Sequence, residues 1–207
     1  MRTVKIPKLY LKYAYPLDNE RRQLFADKNL GDYPSFGIIK SKVDDWKKLW
    51  TVTNTDDRVI KLLIDLTGLT LPRDLEMYIF GNGIRPMSNP LMMPIINFEG
   101  KTYSDDEFIE IVIHEIIHRF VGDYENNPGL KDYWNAIRKN YSQESVLTQN
   151  HIIVYALLNK VLSGLFGKER LKDFMNLKHP DYKRAVEMVL EKGAESLIKE
   201  FRSYLTP

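Results

Sequence analysis

The sequence predicts an α+β fold, with a small mixed sheet and its edge strand in the N-terminal half and a mostly helical C-terminal half. Three observations carry this. Runs of strand-forming residues fall in the first hundred positions, at Val4–Tyr13 with an interruption at Pro7, at Phe36–Lys40, at Leu75–Phe80 and at Leu91–Phe98. Ser104-Asp105-Asp106-Glu107 is a capping-box pattern that opens a long apolar helix. Beyond it, helical patterning continues almost to the C-terminus, punctuated by Gly167 and His179-Pro180. A length of 207 residues suits one domain, read here as 1–207 with a sheet-containing half over 1–100 and a helical half over 101–207.

Taken in order, Val4 and Ile6, then Leu9, Leu11 and Tyr13, alternate with lysines and read as a half-buried strand interrupted at Pro7. Arg21–Leu30 reads as a short helix stopping near Gly31, and Phe36–Lys40 as a second strand. Asp44–Trp50 and Asp56–Leu66 read as amphipathic helices. The second has Asp56 and Asp57 at its positive N-terminal end and Gly68 just past its C-terminus. Leu75–Phe80 is a strand running into the turn Gly81-Asn82-Gly83. Leu91–Phe98 contains Pro94, which a sheet edge tolerates and a central strand does not. The capped helix runs from about residue 105 to Val121 and ends at Gly122. After the loop Asn126-Asn127-Pro128-Gly129, helices are expected over Leu130–Asn140, Gln143–Phe166, Lys168–Met175 and Asp181–Tyr204.

Composition narrows the function classes. Lys plus Arg is 30 and Asp plus Glu is 28, a net charge of +2, which argues against a protein that wraps a polyanion, and no nucleic-acid-binding motif is visible. With Cys at 0, disulfides, cysteine nucleophiles and thiolate metal sites are excluded together, so any metal must be held by His, Asp and Glu. The start of the chain lacks an apolar core with a small-residue cleavage site. The most apolar stretch, Ile152–Phe166, is interrupted by Asn159, Lys160 and Ser163. The expectation is a cytoplasmic protein without a membrane partner. Tyr10, Tyr13, Tyr15, Tyr33, Phe36, Trp46 and Trp50 gather aromatic character in the N-terminal third, read mainly as core, with a partner surface as the other use.

The chemistry concentrates in one run. Phe108, Ile109, Ile111, Val112, Ile113, Ile116, Ile117, Phe120 and Val121 go most of the way round the 105–121 helix, which marks it as buried. Inside it stand three ionisable side chains, His114, Glu115 and His118. Burying these without partners is costly. Histidines at i and i+4 share a face roughly 6 Å apart along the axis, so both imidazoles can converge on one cation. Glu115 is rotated about 100° from the first, placed to reach a water at the metal rather than the metal itself. Zn²⁺ suits such ligands, and a catalytic zinc has three protein ligands with a position left open. The downstream candidates for the third ligand are Asp123, Glu125, Glu144 and His151. Glu144 is preferred, because one carboxylate with two neutral histidines leaves a net charge of +1 that is compatible with water activation. His151 then becomes a hydrogen-bond donor to the transition state, a role for which Tyr141 and Tyr155 also qualify. Glu144 and His151 are seven apart on the expected helix, so the choice between them as ligand stays open at this point.

On His114-Glu115-Ile116-Ile117-His118 and its flanking elements, the chain resembles the zincin metallopeptidases. That resemblance implies a zincin-like fold in which a sheet with an antiparallel, substrate-binding edge strand precedes the active-site helix, and Leu91–Phe98 stands where that strand is expected. The branch with an extended histidine motif needs a glycine three residues after the second histidine and a ligand six after it. Val121 and Tyr124 stand there instead. The resemblance is therefore to the glutamate-ligand branch, the gluzincins and their minimal members, through Glu144. The chain departs from that branch at Thr148, where an aspartate often stands. The function implied is a zinc metallopeptidase that hydrolyses peptide bonds of a peptide or protein substrate. His114, His118 and Glu144 hold the metal, Glu115 serves as general base toward a zinc-activated water, and His151 assists. A non-peptide zinc amidase and a catalytically silent scaffold that keeps the helix for packing are the rival expectations.

Overall fold

The computed structural model describes residues 6–52, 55–123, 125, 127–167, 169 and 177–205. Val4 of the first expected strand, and the expected helix Lys168–Met175 apart from Glu169, lie outside these residues. The elements of the N-terminal half are β1 (Leu9–Tyr13), α1 (Tyr15–Asp27), α2 (Phe36–Val52), α3 (Thr55–Thr67), β2 (Leu75–Phe80), β3 (Met87–Ser88) and β4 (Leu91–Pro94). Then follow α4 (Asp105–Val121), α5 (Pro128–Asn140), α6 (Val146–Phe166), α7 (Pro180–Lys192) and α8 (Ala194–Leu205). The mixed α+β class expected from the sequence is what these elements make. They fall into two compact units, one of Met1–Asp57 with Pro72–Ile116 and one of Arg58–Leu71 with Ile117–Pro207. The second boundary lies within α4, a single uninterrupted helix.

The first unit holds a four-stranded sheet of order β1-β2-β4-β3. β1, β2 and β4 run parallel, and β3 is antiparallel to β4. The alternation read from the sequence sets the register: Leu9 pairs Leu75 and Leu11 pairs Met77, and all four side chains are buried on one face. The edge strand differs from expectation. Leu91–Pro94 is flanked by β2 and β3, and the edge is the two-residue β3, turned back through Asn89 and a cis Pro90. Pro94 is tolerated because it ends its strand, beyond the reach of β3, which pairs only with Leu91 and Met92.

Phe36–Lys40 is the start of α2, not a strand. Ile39, Val43, Trp46 and Trp50 are all buried and recur at helical spacing, so the stripe extends through the residues that a five-residue window reads as extended. Trp46 stacks on Phe108 of α4 with ring centroids 4.2 Å apart and planes at 11°, and Trp50 meets the same ring edge-on at 6.2 Å. Phe108 is fully buried. Phe108→Ala is expected to cost about 3–5 kcal/mol in urea-induced unfolding, because the cavity cannot close between two rigid indoles. A loss under about 1 kcal/mol would show that this stack is not part of the core.

Asp18 of α1 fastens the connections around the sheet. Its Oδ1 accepts from the Tyr33 hydroxyl and from Gly81 N, each at 2.7 Å, and its Oδ2 accepts from the Tyr13 hydroxyl at 2.7 Å. Burial, then the bond to Asp18, pushes both phenols above their ordinary pKa, so they remain donors. Gly81 must be glycine here, since a Cβ would sit 2.5 Å from the Tyr33 ring.

In the second unit α6 packs against α7 and α8, and α5 packs against α6 and α8. The expected helix Asp181–Tyr204 is two helices, α7 and α8, broken at Gly193, whose φ of 80° ends the first. The Trp134 indole N–H of α5 donates to the Val121 carbonyl at 2.9 Å, satisfying one of the open carbonyls at the end of α4. Among the described residues, no helix is long and apolar enough to cross a membrane.

Candidate metal centre

The capping box at the start of α4 forms as its sequence requires. Ser104 Oγ accepts from Glu107 N at 3.2 Å, and Glu107 Oε2 accepts from Ser104 N at 2.8 Å. Phe108, Val112, Ile113, Ile116, Ile117 and Phe120 then bury the helix on several sides. Among them His114 and His118 are half-buried, and Glu115 is only 8 % exposed. Because α4 is continuous, the two histidines keep one face, a turn apart. Burial alone raises the Glu115 carboxyl to about 7.

α6 supplies the third imidazole. Ser145 caps it, accepting from Thr148 N at 3.0 Å and donating to Asp181 Oδ1 at 2.7 Å. One turn inside, His151 is buried, with its Nδ1 2.8 Å from the Leu147 carbonyl. A carbonyl only accepts, so the proton of a neutral His151 sits on Nδ1 and its Nε2 presents a lone pair. That Nε2 lies 3.3 Å from His118 Nε2. Burial, reinforced by the facing His151, holds His118 down at about 3. Burial lowers His151 too, against the opposing pull of the Leu147 bond. Both rings are therefore neutral at pH 7, which is the form that binds a metal.

One ring nitrogen from each of His114, His118 and His151 can be chosen so that all three lie within 4.8 Å of one another. The facing pair of the donor set passes a simple test of fit. Nitrogens about 2.0–2.1 Å from a tetrahedral ion stand about 3.3–3.4 Å apart, and the His118–His151 separation is 3.3 Å. All-imidazole sites suit zinc, copper, iron and nickel. A carbonyl fixing the far nitrogen of a ligand histidine is also the usual outer partner at such centres.

Of the residues singled out from sequence, His114, His118 and His151 come together with Glu115 adjacent on α4, and Glu144 does not join them. α6 begins at Val146, so Glu144 precedes the Ser145 cap instead of lying on the helix face below His151. Its Oε1 accepts from Arg184 Nε and NH2 at 3.1 and 2.9 Å, and its backbone carbonyl accepts from Gln149 Nε2 at 2.8 Å. His151, expected as a transition-state donor, takes the place in the cluster that was assigned to Glu144. Neither Asp123 nor Glu125 belongs to the group. The signal for this was available: Ser145 followed by Thr148 is a helix-start pattern that ends the preceding turn at Glu144. Thr148, where the glutamate branch often has aspartate, instead donates to the Asp181 carbonyl at 3.2 Å.

Of the tyrosines weighed, Tyr155 has its ring 5.6 Å from His151, while the Tyr141 hydroxyl is 2.6 Å from Lys192 Nζ. Tyr182 was missed and lies nearer, 4.6 Å ring to ring from His151, and its own ring meets His179 at 4.9 Å with the planes tilted by 37°. Nothing in its local pattern sets it apart, since it reaches His151 only through the packing of α7 on α6. Glu144→Gln is expected to leave metal stoichiometry unchanged by elemental analysis, because the carboxylate serves Arg184. Loss of the metal in that variant would remove His151 from the ligand set. Comparison of the chain with known protein families, with curated proteins and with solved structures gave no match.

Proposed function

We propose that the chain is a zinc-dependent hydrolase acting on peptide bonds, with His114, His118 and His151 as ligands and Glu115 as general base. The observation that carries this is the facing pair of neutral imidazoles, Nε2 to Nε2 at 3.3 Å, with one tautomer set by the Leu147 carbonyl. Two such rings with a third histidine, and a buried carboxyl on the same helix as two of them, are costly as core and favourable as a metal centre. Bound zinc supplies positive charge that polarises a carbonyl and eases the ionisation of water.

The chain's own residues do the rest. Leu147 holds the His151 ring in the tautomer that faces His118. Glu115 takes the proton of the attacking water on its carboxylate and delivers it to the leaving amine. Glu115 is itself only 8 % exposed, so most competing water is kept from that carboxylate. In the first unit β3 ends the sheet, and an extended peptide is the kind of substrate that continues a sheet edge.

Purified protein is expected to carry one zinc per chain and to cleave members of a peptide library, with cleavage abolished by chelation and restored by zinc. A metal-loaded protein that hydrolyses small amides and no peptide would move the assignment to a non-peptide amidase. Protein that takes up no transition metal would make the three histidines core residues and the chain a scaffold.

A further inference from the structure

Tyr13, Tyr15, Asp18, Asn19, Arg22 and Phe36, all in the first unit, line a cavity of about 390 Å³. Three of them are aromatic and come from three elements: Tyr13 ends β1, Tyr15 opens α1 and Phe36 opens α2. Their ring centroids stand 6.2, 5.5 and 6.3 Å apart, with planes inclined at 64°, 66° and 84°. Each pair meets edge to face, so the three rings form an aromatic corner bordering the cavity, with spacings on the scale of the roughly 6 Å over which a cation is attracted to an aromatic face.

The charge on the floor agrees. Asp18 is 1 % exposed and holds its carboxylate in place through the Tyr13 and Tyr33 hydroxyls and Gly81 N, so a fixed negative group lies behind the rings. Arg22, the cation of the lining, lies with its guanidinium over the Tyr33 ring at 4.8 Å and pairs with Asp18 Oδ2 at 3.4 Å, which leaves Asp18 Oδ1 to Tyr33 and Gly81. Tyr15 and Phe36 are 58 % and 49 % exposed, so two of the walls stand open to a ligand from solvent.

We propose that this corner binds a methylated ammonium head group of the choline type. Fixed carboxylate charge disfavours an anion. A bare ammonium is strongly hydrated and loses more on entering an aromatic corner than a methylated one, whose charge is spread over apolar methyls. The site involves none of the histidines and is independent of the hydrolase reading.

The test titrates tetramethylammonium and choline into the full chain, following aromatic ring resonances by NMR. Saturable shifts confined to the three rings are expected, and 3,3-dimethylbutan-1-ol, the neutral shape-mimic of choline, should bind about tenfold more weakly or worse. Tyr15→Leu and Phe36→Leu should each weaken choline binding by about tenfold while thermal unfolding stays cooperative, and Tyr10→Leu, outside the cavity, should not change it. Equal binding of choline and its neutral mimic would overturn the proposal, as would the absence of saturable shifts in the wild-type chain, and neither result depends on any variant folding.

Discussion

Glu115→Gln is expected to keep its metal and lose turnover by about 10² to 10⁴-fold, the range set by removing a positioned general base. The amide is nearly isosteric with the carboxyl, so α4 packs as before. It cannot accept the proton of an attacking water. The loss should appear in kcat, with KM little changed, because the carboxylate acts on the transition state and not on ground-state binding. Elemental analysis and kinetics on one sample separate this outcome from misfolding. Full activity in a zinc-loaded Glu115→Gln protein would assign the proton transfer to another group. Loss of zinc alongside activity would make Glu115 part of the ligand set.

His151→Ala is expected to abolish stoichiometric zinc binding and, with it, the stabilisation that zinc confers. A ligand present at a thousand times its dissociation constant stabilises the folded state by about 4 kcal/mol. For a chain of 207 residues, at about 2–4 °C per kcal/mol, that is a rise in Tm of roughly 8–16 °C on adding zinc to the apo wild type. The alanine variant should show almost none of it. The comparison is internal to each protein, so any cost of replacing a buried imidazole cancels. A His151→Ala protein whose Tm still climbs with zinc would return the third position to another side chain.

These expectations rest on a helix whose character was plain in the sequence. Ser104 and Glu107 mark the start of α4, Gly122 follows its end, and the all-round apolar residues state its burial, because each of these is a local rule acting within a few residues. β1 and β2 were legible for the same reason, β1 through its alternation and β2 through its strand-forming residues and the turn Gly81-Asn82-Gly83 that ends it. What escaped depends on distance along the chain. Phe36–Lys40 looks extended alone and becomes helical only when Val43, Trp46 and Trp50 are counted with Ile39. Leu91–Pro94 has the proline of an edge strand, yet β3 folds back to cover it, a pairing set by the turn at Asn89-Pro90. That His151 and not Glu144 joins the histidine cluster turned on where α6 begins, a shift of three residues from the expected start at Gln143. Ionic selection reinforced it, since Arg184 from α7, forty residues downstream, draws Glu144 to itself.

In the proposed metal centre, the bond from His151 to the Leu147 carbonyl would tie an inorganic affinity to a secondary-structure terminus. That carbonyl belongs to the opening turn of α6, which is held by Ser145 and, through Ser145 and Thr148, by the aspartate at the head of α7. Fraying of this turn would free the imidazole to rotate and to exchange its proton between nitrogens. The ion would then have to bear the entropy of reordering the ring. With α7 anchored on α6 that turn is ordered by the fold itself, so in the proposed centre tight capture would depend on residues that never approach the ion.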